Sequence, residues 1–182
     1  MKSRILTMIV AAVAVASVAA CSPTRTTRSA GETVDDTTVT AKVKTALARD
    51  PATSAYRIEV ESYRGEVQLN GFVESADMKS SATRVAKSVN GVKSVSNNLQ
   101  VQKSERTAGE VVDDGVITAK VKAALISNKD VKAHEVNVET REGVVQLAGF
   151  VDSSTQKSAA SEVTRKVAGV KQVDNQLEVK QR

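Results

Sequence analysis

The residues of this 182-residue chain that could do chemistry are few, and most stand in matching pairs. Asp35-Asp36 and Asp113-Asp114 are adjacent carboxylates, the raw material of acid–base catalysis or of a cation site. Acid–base work needs such a group within hydrogen-bond reach of a reacting atom, and a metal needs several converging ligands. His134 is the single histidine; the other half of the chain has Tyr56 at the matching position, and no His/Cys/Asp cluster has metal-ligand spacing. It reads as a surface residue in a turn. Each aspartate pair falls just ahead of an apolar helical stripe. There a carboxylate accepts from orphan N–H groups and meets the positive end of the helix dipole, so both pairs are expected to be helix caps. No catalytic residue, metal, cofactor or small-molecule substrate is expected, and hence no enzyme.

Cys21 is the one cysteine, so no intramolecular disulfide can form. It closes the apolar run "ILTMIVAAVAVASVAA", which follows Lys2 and Arg4. A charged start, an apolar run and small residues at its end mark a secretory signal, here 1–20. The run is rich in Ala and too short to span a bilayer comfortably, which takes about 20 strongly apolar residues. Val18, Ala19 and Ala20 before Cys21 resemble the lipobox of bacterial lipoproteins, which implies acylation of Cys21. Two or three acyl chains make a stable anchor where one binds only marginally. Ser22 follows rather than Asp, which by resemblance to enterobacterial sorting implies the outer membrane. Without acylation the protein would instead be soluble in the periplasm.

Of the 26 basic residues, removal of Lys2 and Arg4 leaves 24 against 21 acidic, a net charge of +3. The charges alternate without a basic block. Only Tyr56, Tyr63, Phe72 and Phe150 are aromatic, too few for stacking platforms on single strands. Nucleic acid is not an expected partner.

Positioning falls to a duplicated unit. Residues 34–101 align with 112–179 without a gap, at an offset of 78 residues and with about half the positions identical. The expected organisation is a signal at 1–20, a polar tether at 21–33, domain one at 34–103, a linker at 104–111 and domain two at 112–182. Within domain one, Val39, Val43, Ala46 and Leu47 form a helical stripe that stops at Asp50-Pro51. Ile58 and Val60, then Val67, Leu69 and Val73, alternate around Gly65 as a hairpin with one buried face. Gly71 and Gly149, inside strands, suggest a bulge or a close approach of the covering helix. Ser75 caps a second helix with an inward face of Ala82, Val85, Ala86 and Val89. Asn90-Gly91 ends it, and Val95, Leu99 and Val101 make a third strand. The fold class is α+β: two tandem αββαβ domains, each with two helices on one face of a three-stranded mixed sheet.

The helices "TAKVKTAL" and "TAKVKAAL", the strands "GEVQLNGFV" and "GVVQLAGFV", and the endings "VNGVKSVSNNLQV" and "VAGVKQVDNQLEV" resemble the BON domain. The resemblance covers both copies, about three quarters of the chain. With the lipobox, the whole is similar to dual-BON outer-membrane lipoproteins. It implies a protein that faces the periplasm, binds anionic phospholipid and supports envelope integrity under osmotic or envelope stress. The implied lipid contact is the first helix of the second domain.

That helix is where the copies diverge. At about 100° per residue, Ile117, Val121, Ala124 and Leu125 form the core stripe, and Val116, Ala119, Ala123 and Ile126 fall roughly opposite. Domain one has Thr38, Ala41, Thr45 and Ala48 at those positions. Lys120 and Lys122 flank the outer stripe, with Lys129 and Lys132 just beyond. Such a face suits an anionic bilayer. It would equally suit packing on domain one, or a polypeptide if the protein is an envelope adaptor or chaperone. The resemblance implies an aromatic anchor near the helix start, where this chain has Val116.

Overall fold

The computed structural model describes residues 30–54, 57–102 and 108–181. The signal read over 1–20, Cys21 and the tether up to residue 29 lie outside the described residues.

Helix α1 spans Ala30–Arg49 and helix α3 Ala108–Ser127. They begin inside the stretches expected as tether and linker. "AGETV" and "AGEVV" contain no proline, and in the second Glu110 stands in the first turn, at the positive end of the helix dipole. The helix therefore starts ahead of the apolar stripe that the packing requires. Asp35-Asp36 and Asp113-Asp114 consequently lie within the second turn, and the expectation that they cap helices is corrected.

The β1 strand (Ile58–Tyr63) pairs antiparallel with β2 (Glu66–Val73). The turn is Arg64-Gly65, with φ of +53° and +83°; a two-residue hairpin needs positive φ at both positions for its twist to match the strands. Helix α2 (Ala76–Lys87) is capped by Ser75, whose hydroxyl accepts from Met78 N at 3.3 Å. It leads to β3 (Ser94–Asn97) and β4 (Gln100–Val101), both parallel to β2. Domain two repeats the pattern with β5 (Asn137–Arg141), β6 (Val144–Val151), α4 (Ser154–Arg165) and β7 (Gln172–Val179), in the order β5-β6-β7. A short 3-10 turn at Ala133–Glu135 precedes β5 and leaves His134 exposed.

Two cores result. Val39, Val43 and Leu47 of α1 pack with Val67, Leu69, Val73, Ala82 and Leu99. Ile117, Val121 and Leu125 of α3 pack with Val145, Leu147, Val151, Ala160 and Leu177. Because side chains alternate along a strand, Gln68, Asn70 and Phe72 point away from the first core, and Gln146, Ala148 and Phe150 from the second. All six are nonetheless buried, and the hairpin expected to bury one face buries both. The polar faces of the two sheets are packed against each other. The order of layers is α1/α2, sheet, sheet, α3/α4.

Partners across this interface exchange under the 78-residue offset, as in an isologous contact. Gln68 Oε1 accepts from Gly149 N at 3.0 Å, and Gln146 Oε1 from Gly71 N at 2.6 Å. Gln68 Nε2 donates to Gln176 O at 3.4 Å, and Gln146 Nε2 to Asn98 O at 2.9 Å. Tyr63 stacks on Phe150 at 5.5 Å, and Arg141 lies over Phe72 at 6.0 Å. The strand glycines thereby acquire a reason. A Cβ on Gly71 would come within 2.7 Å of Arg57 O, and one on Gly149 within 2.2 Å of Glu135 O. The close neighbour is the backbone leading into the preceding strand rather than the covering helix.

One arm of the interface is uneven. Asn137 Nδ2 donates to Glu61 Oε1 at 2.5 Å, while the offset places Glu139 opposite Glu59 in the other arm. Burial, and then the Glu59 charge, raise the Glu139 carboxyl above its ordinary value, against the opposing pull of Arg57 and Lys122.

Candidate functional site

The paired aspartates fasten each first helix to its own hairpin. Asp36 Oδ2 accepts from Arg64 N at 2.9 Å and its Oδ1 from Gly65 N at 3.1 Å. Asp114 does the same with Glu142 N at 2.8 Å and Gly143 N at 3.0 Å. A tight turn leaves such amides without strand partners, and a buried carboxylate satisfies both. One turn further, Thr40 and Ser62 hydroxyls meet at 2.7 Å, and Thr118 and Thr140 at 2.8 Å. These contacts fix the rotation of α1 and α3 about their axes. They therefore decide which residues of each helix face outward.

On α3, every residue singled out for the outer face is exposed: Val116, Ala119, Lys120, Lys122, Ala123 and Ile126, with Lys129 just beyond the helix. Val116 is 46% and Ile126 73% accessible, among the largest apolar exposures described. Domain one does not cover this face, because the contact between the domains uses the sheets. The packing of this stripe on domain one, open from sequence, is excluded. The first helix of domain one presents Thr38, Ala41, Thr45 and Ala48 at the corresponding surface.

Lys132 is the exception among the flanking lysines. Its ammonium is bound to Asp152, which also accepts from Lys180 at 2.6 Å. Lys180 in turn bonds Glu135 at 2.6 Å. The Lys132 and Lys180 hydrogen bonds hold the Asp152 carboxyl below its ordinary range, and the bond to Asp152 raises Lys132. Lys132 is thus neutralised within the fold, leaving Lys120, Lys122 and Lys129 as the cations beside the stripe.

Two residues escaped the sequence reading. Val111, 50% exposed, lies in the first turn of α3, within the stretch expected as linker. Gly115 lies on the exposed side, with nothing within 4 Å of the position a Cβ would take. No packing reason holds glycine there, and its signal was simply a glycine in a helical pattern. Among the described residues no group of three or more His, Cys, Asp or Glu side chains is placed to hold a metal ion. No described helix is long and apolar enough to cross a membrane.

The BON domain family matches twice, at residues 35–103 and 113–181. The osmotically-inducible protein Y of Escherichia coli (strain K12) is 40% identical over 151 residues, covering 82% of this chain and 75% of that protein. The outer membrane lipoprotein DolP of Haemophilus influenzae is 37% identical over 147 residues, 80% of this chain and 75% of its own length. A 21 kDa hemolysin of Actinobacillus pleuropneumoniae is 36% identical over 147 residues, again 80% and 75%.

Proposed function

The chain belongs to the BON-domain family, matched by both of its halves, and from that premise we propose that it is a non-catalytic protein of the bacterial envelope that docks on anionic phospholipid through α3. The observation that carries the reading is the outward aliphatic face with Val116 and Ile126 at its ends, used neither by its own core nor by the contact between domains. Burying Val and Ile side chains contributes about 1.5–3 kcal/mol each. Each lysine near an anionic surface adds on the order of 1 kcal/mol, and Lys120, Lys122 and Lys129 are exposed beside the stripe.

Such a helix binds weakly alone. An acylated Cys21 would hold it at the surface and raise its effective concentration. The relative named as an outer membrane lipoprotein supports that anchor, and the relative named as osmotically inducible supports a role in osmotic stress. Val116 in place of an aromatic anchor lowers the expected affinity, because less area enters the interface.

Flotation of the protein with liposomes tests the reading. Phosphatidylglycerol vesicles should carry the protein upward, phosphatidylcholine vesicles much less. Ile126→Asp should lower partitioning roughly tenfold or more while the unfolding midpoint stays unchanged. Unaltered flotation of that variant would leave α3 as a polypeptide-docking face of an envelope adaptor. Mass spectrometry of the mature amino terminus reads acylation of Cys21, and its absence would make the protein soluble in the periplasm.

A further inference from the structure

Met78 is the single methionine between Cys21 and the end of the chain. It stands in the first turn of α2, half-buried against the core of domain one. Its counterpart at the 78-residue offset is Gln156, which is buried. The two helix starts share their geometry. The hydroxyls of Ser75 and Ser153 accept from Met78 N at 3.3 Å and from Gln156 N at 3.2 Å. The carbonyls of the same serines accept from Lys79 N at 3.2 Å and Lys157 N at 3.1 Å. Just ahead of them, Val73 O accepts from Gln102 N and Val151 O from Lys180 N, both at 2.8 Å. What differs is one bond. In domain two Gln156 Oε1 accepts from Asp152 N at 3.0 Å and ties the start of α4 to the end of β6. In domain one the thioether of Met78 carries no oxygen, and Glu74 N donates to no group among the described residues.

We propose that Met78 is a site of reversible oxidation, whose sulfoxide oxygen takes on Glu74 N the place that Gln156 Oε1 holds on Asp152 N. The oxidant is a hydroperoxide. A sulfur lone pair attacks one peroxide oxygen, and the O–O bond breaks as the S–O bond forms. The departing hydroxide leaves as water with the proton of the transferred oxygen; sulfur loses two electrons and the peroxide gains them. Reduction by two thiols, which leave as a disulfide and water, reverses the step. The new oxygen is carried on Sδ, one bond beyond Cγ, as Oε1 of a glutamine is carried on Cδ. Methionine sulfoxide therefore has the reach of glutamine, with a methyl group in place of the amide nitrogen. Its usual effect is disruptive, because a polar side chain replaces an apolar one in a core. Here the same backbone frame already holds a polar side chain of that length in domain two, more deeply buried, and offers a donor for the oxygen. The partial exposure of Met78 admits the oxidant.

The test is treatment of the full chain with hydrogen peroxide, read by peptide mass spectrometry, amide NMR and urea unfolding. Met78 should gain one oxygen. The Glu74 amide should shift and exchange roughly tenfold more slowly, while the Asp152 amide stays in place. The unfolding midpoint should remain at or above that of the untreated protein, and methionine sulfoxide reductase should return the Glu74 signal to its starting position. Met78→Gln should reproduce the oxidised state without peroxide. Met78→Leu keeps the apolar volume and should remove the response, which separates it from oxidation at Met1 and Met8. A lowered midpoint with an unmoved Glu74 amide would make the oxidation simple damage and overturn the proposal. So would a Met78 that stays unoxidised, or a Met78→Gln variant whose Glu74 amide exchanges as fast as before.

Discussion

The two domains exchange most of their partners where they meet and are opposed where they face solvent. At the sheet interface Gln68 and Gln146 do the same work for Gly149 and Gly71. On the outer helices Thr38, Thr45 and Ala48 stand against Val116, Ala123 and Ile126. Each interface residue is held by a buried partner in the other domain, so a change there leaves a buried group unsatisfied. The outer faces touch nothing in common. They were free to diverge, one toward hydroxyls, the other toward aliphatic side chains.

The largest effect expected from breaking the shared side of this comparison lies in the strand glycines. Gly149→Ala places a methyl 2.2 Å from Glu135 O at a φ of +128°. It should cost on the order of 3 kcal/mol or more in urea unfolding. Gly71→Ala, with 2.7 Å to Arg57 O, should cost less. Equal costs would mean that the contact between domains, rather than the local backbone, sets the penalty. Next come Gln68→Ala and Gln146→Ala. Each strands a buried glycine N–H in the other domain, at about 1–3 kcal/mol, with the larger loss expected at the shorter Gln146 bond.

The uneven arm gives a smaller effect, which depends on pH. Glu139 is held above its ordinary 4.5 by burial and by Glu59, so the folded state binds its proton more tightly than the unfolded chain. Stability therefore declines as pH rises from about that ordinary value through the raised one, and the loss is complete above it. Glu139→Gln should flatten this decline and stabilise the protein at neutral pH, as read by unfolding across pH 4–8. Asp152 acts in the opposite sense. Its carboxyl is lowered, so its contribution is present above its ordinary 3.8 and is lost as pH falls below that. The smallest effect concerns Gly115, where alanine should add about 0.5–1 kcal/mol of helix stability without altering flotation. Weakened flotation of Gly115→Ala would show that the membrane meets the helix backbone there.

Much of the architecture was legible. The valine and leucine alternation of β2 and β6, the stripes of α1 and α3, and the serine cap at Ser75 announce themselves through spacing. The outer stripe of α3 was legible too, because its apolar residues stand opposite the core stripe. The aspartate pairs misled, because a carboxylate before an apolar stripe has the same spelling whether it caps its own helix or fastens a distant turn. Gln68 and Gln146 passed as solvent-facing positions, since alternation reports which face a residue is on and nothing about what lies beyond that face.

Local order determined from sequence the elements, their sequence along the chain and the inward face of each helix, because backbone propensity and one-sided burial repeat over neighbouring residues. The tertiary structure alone decided that two polar sheet faces close on each other. Their glutamines and glycines are satisfied only across a separation of about 80 residues. That closure, by occupying the sheets, leaves Val116 and Ile126 facing outward.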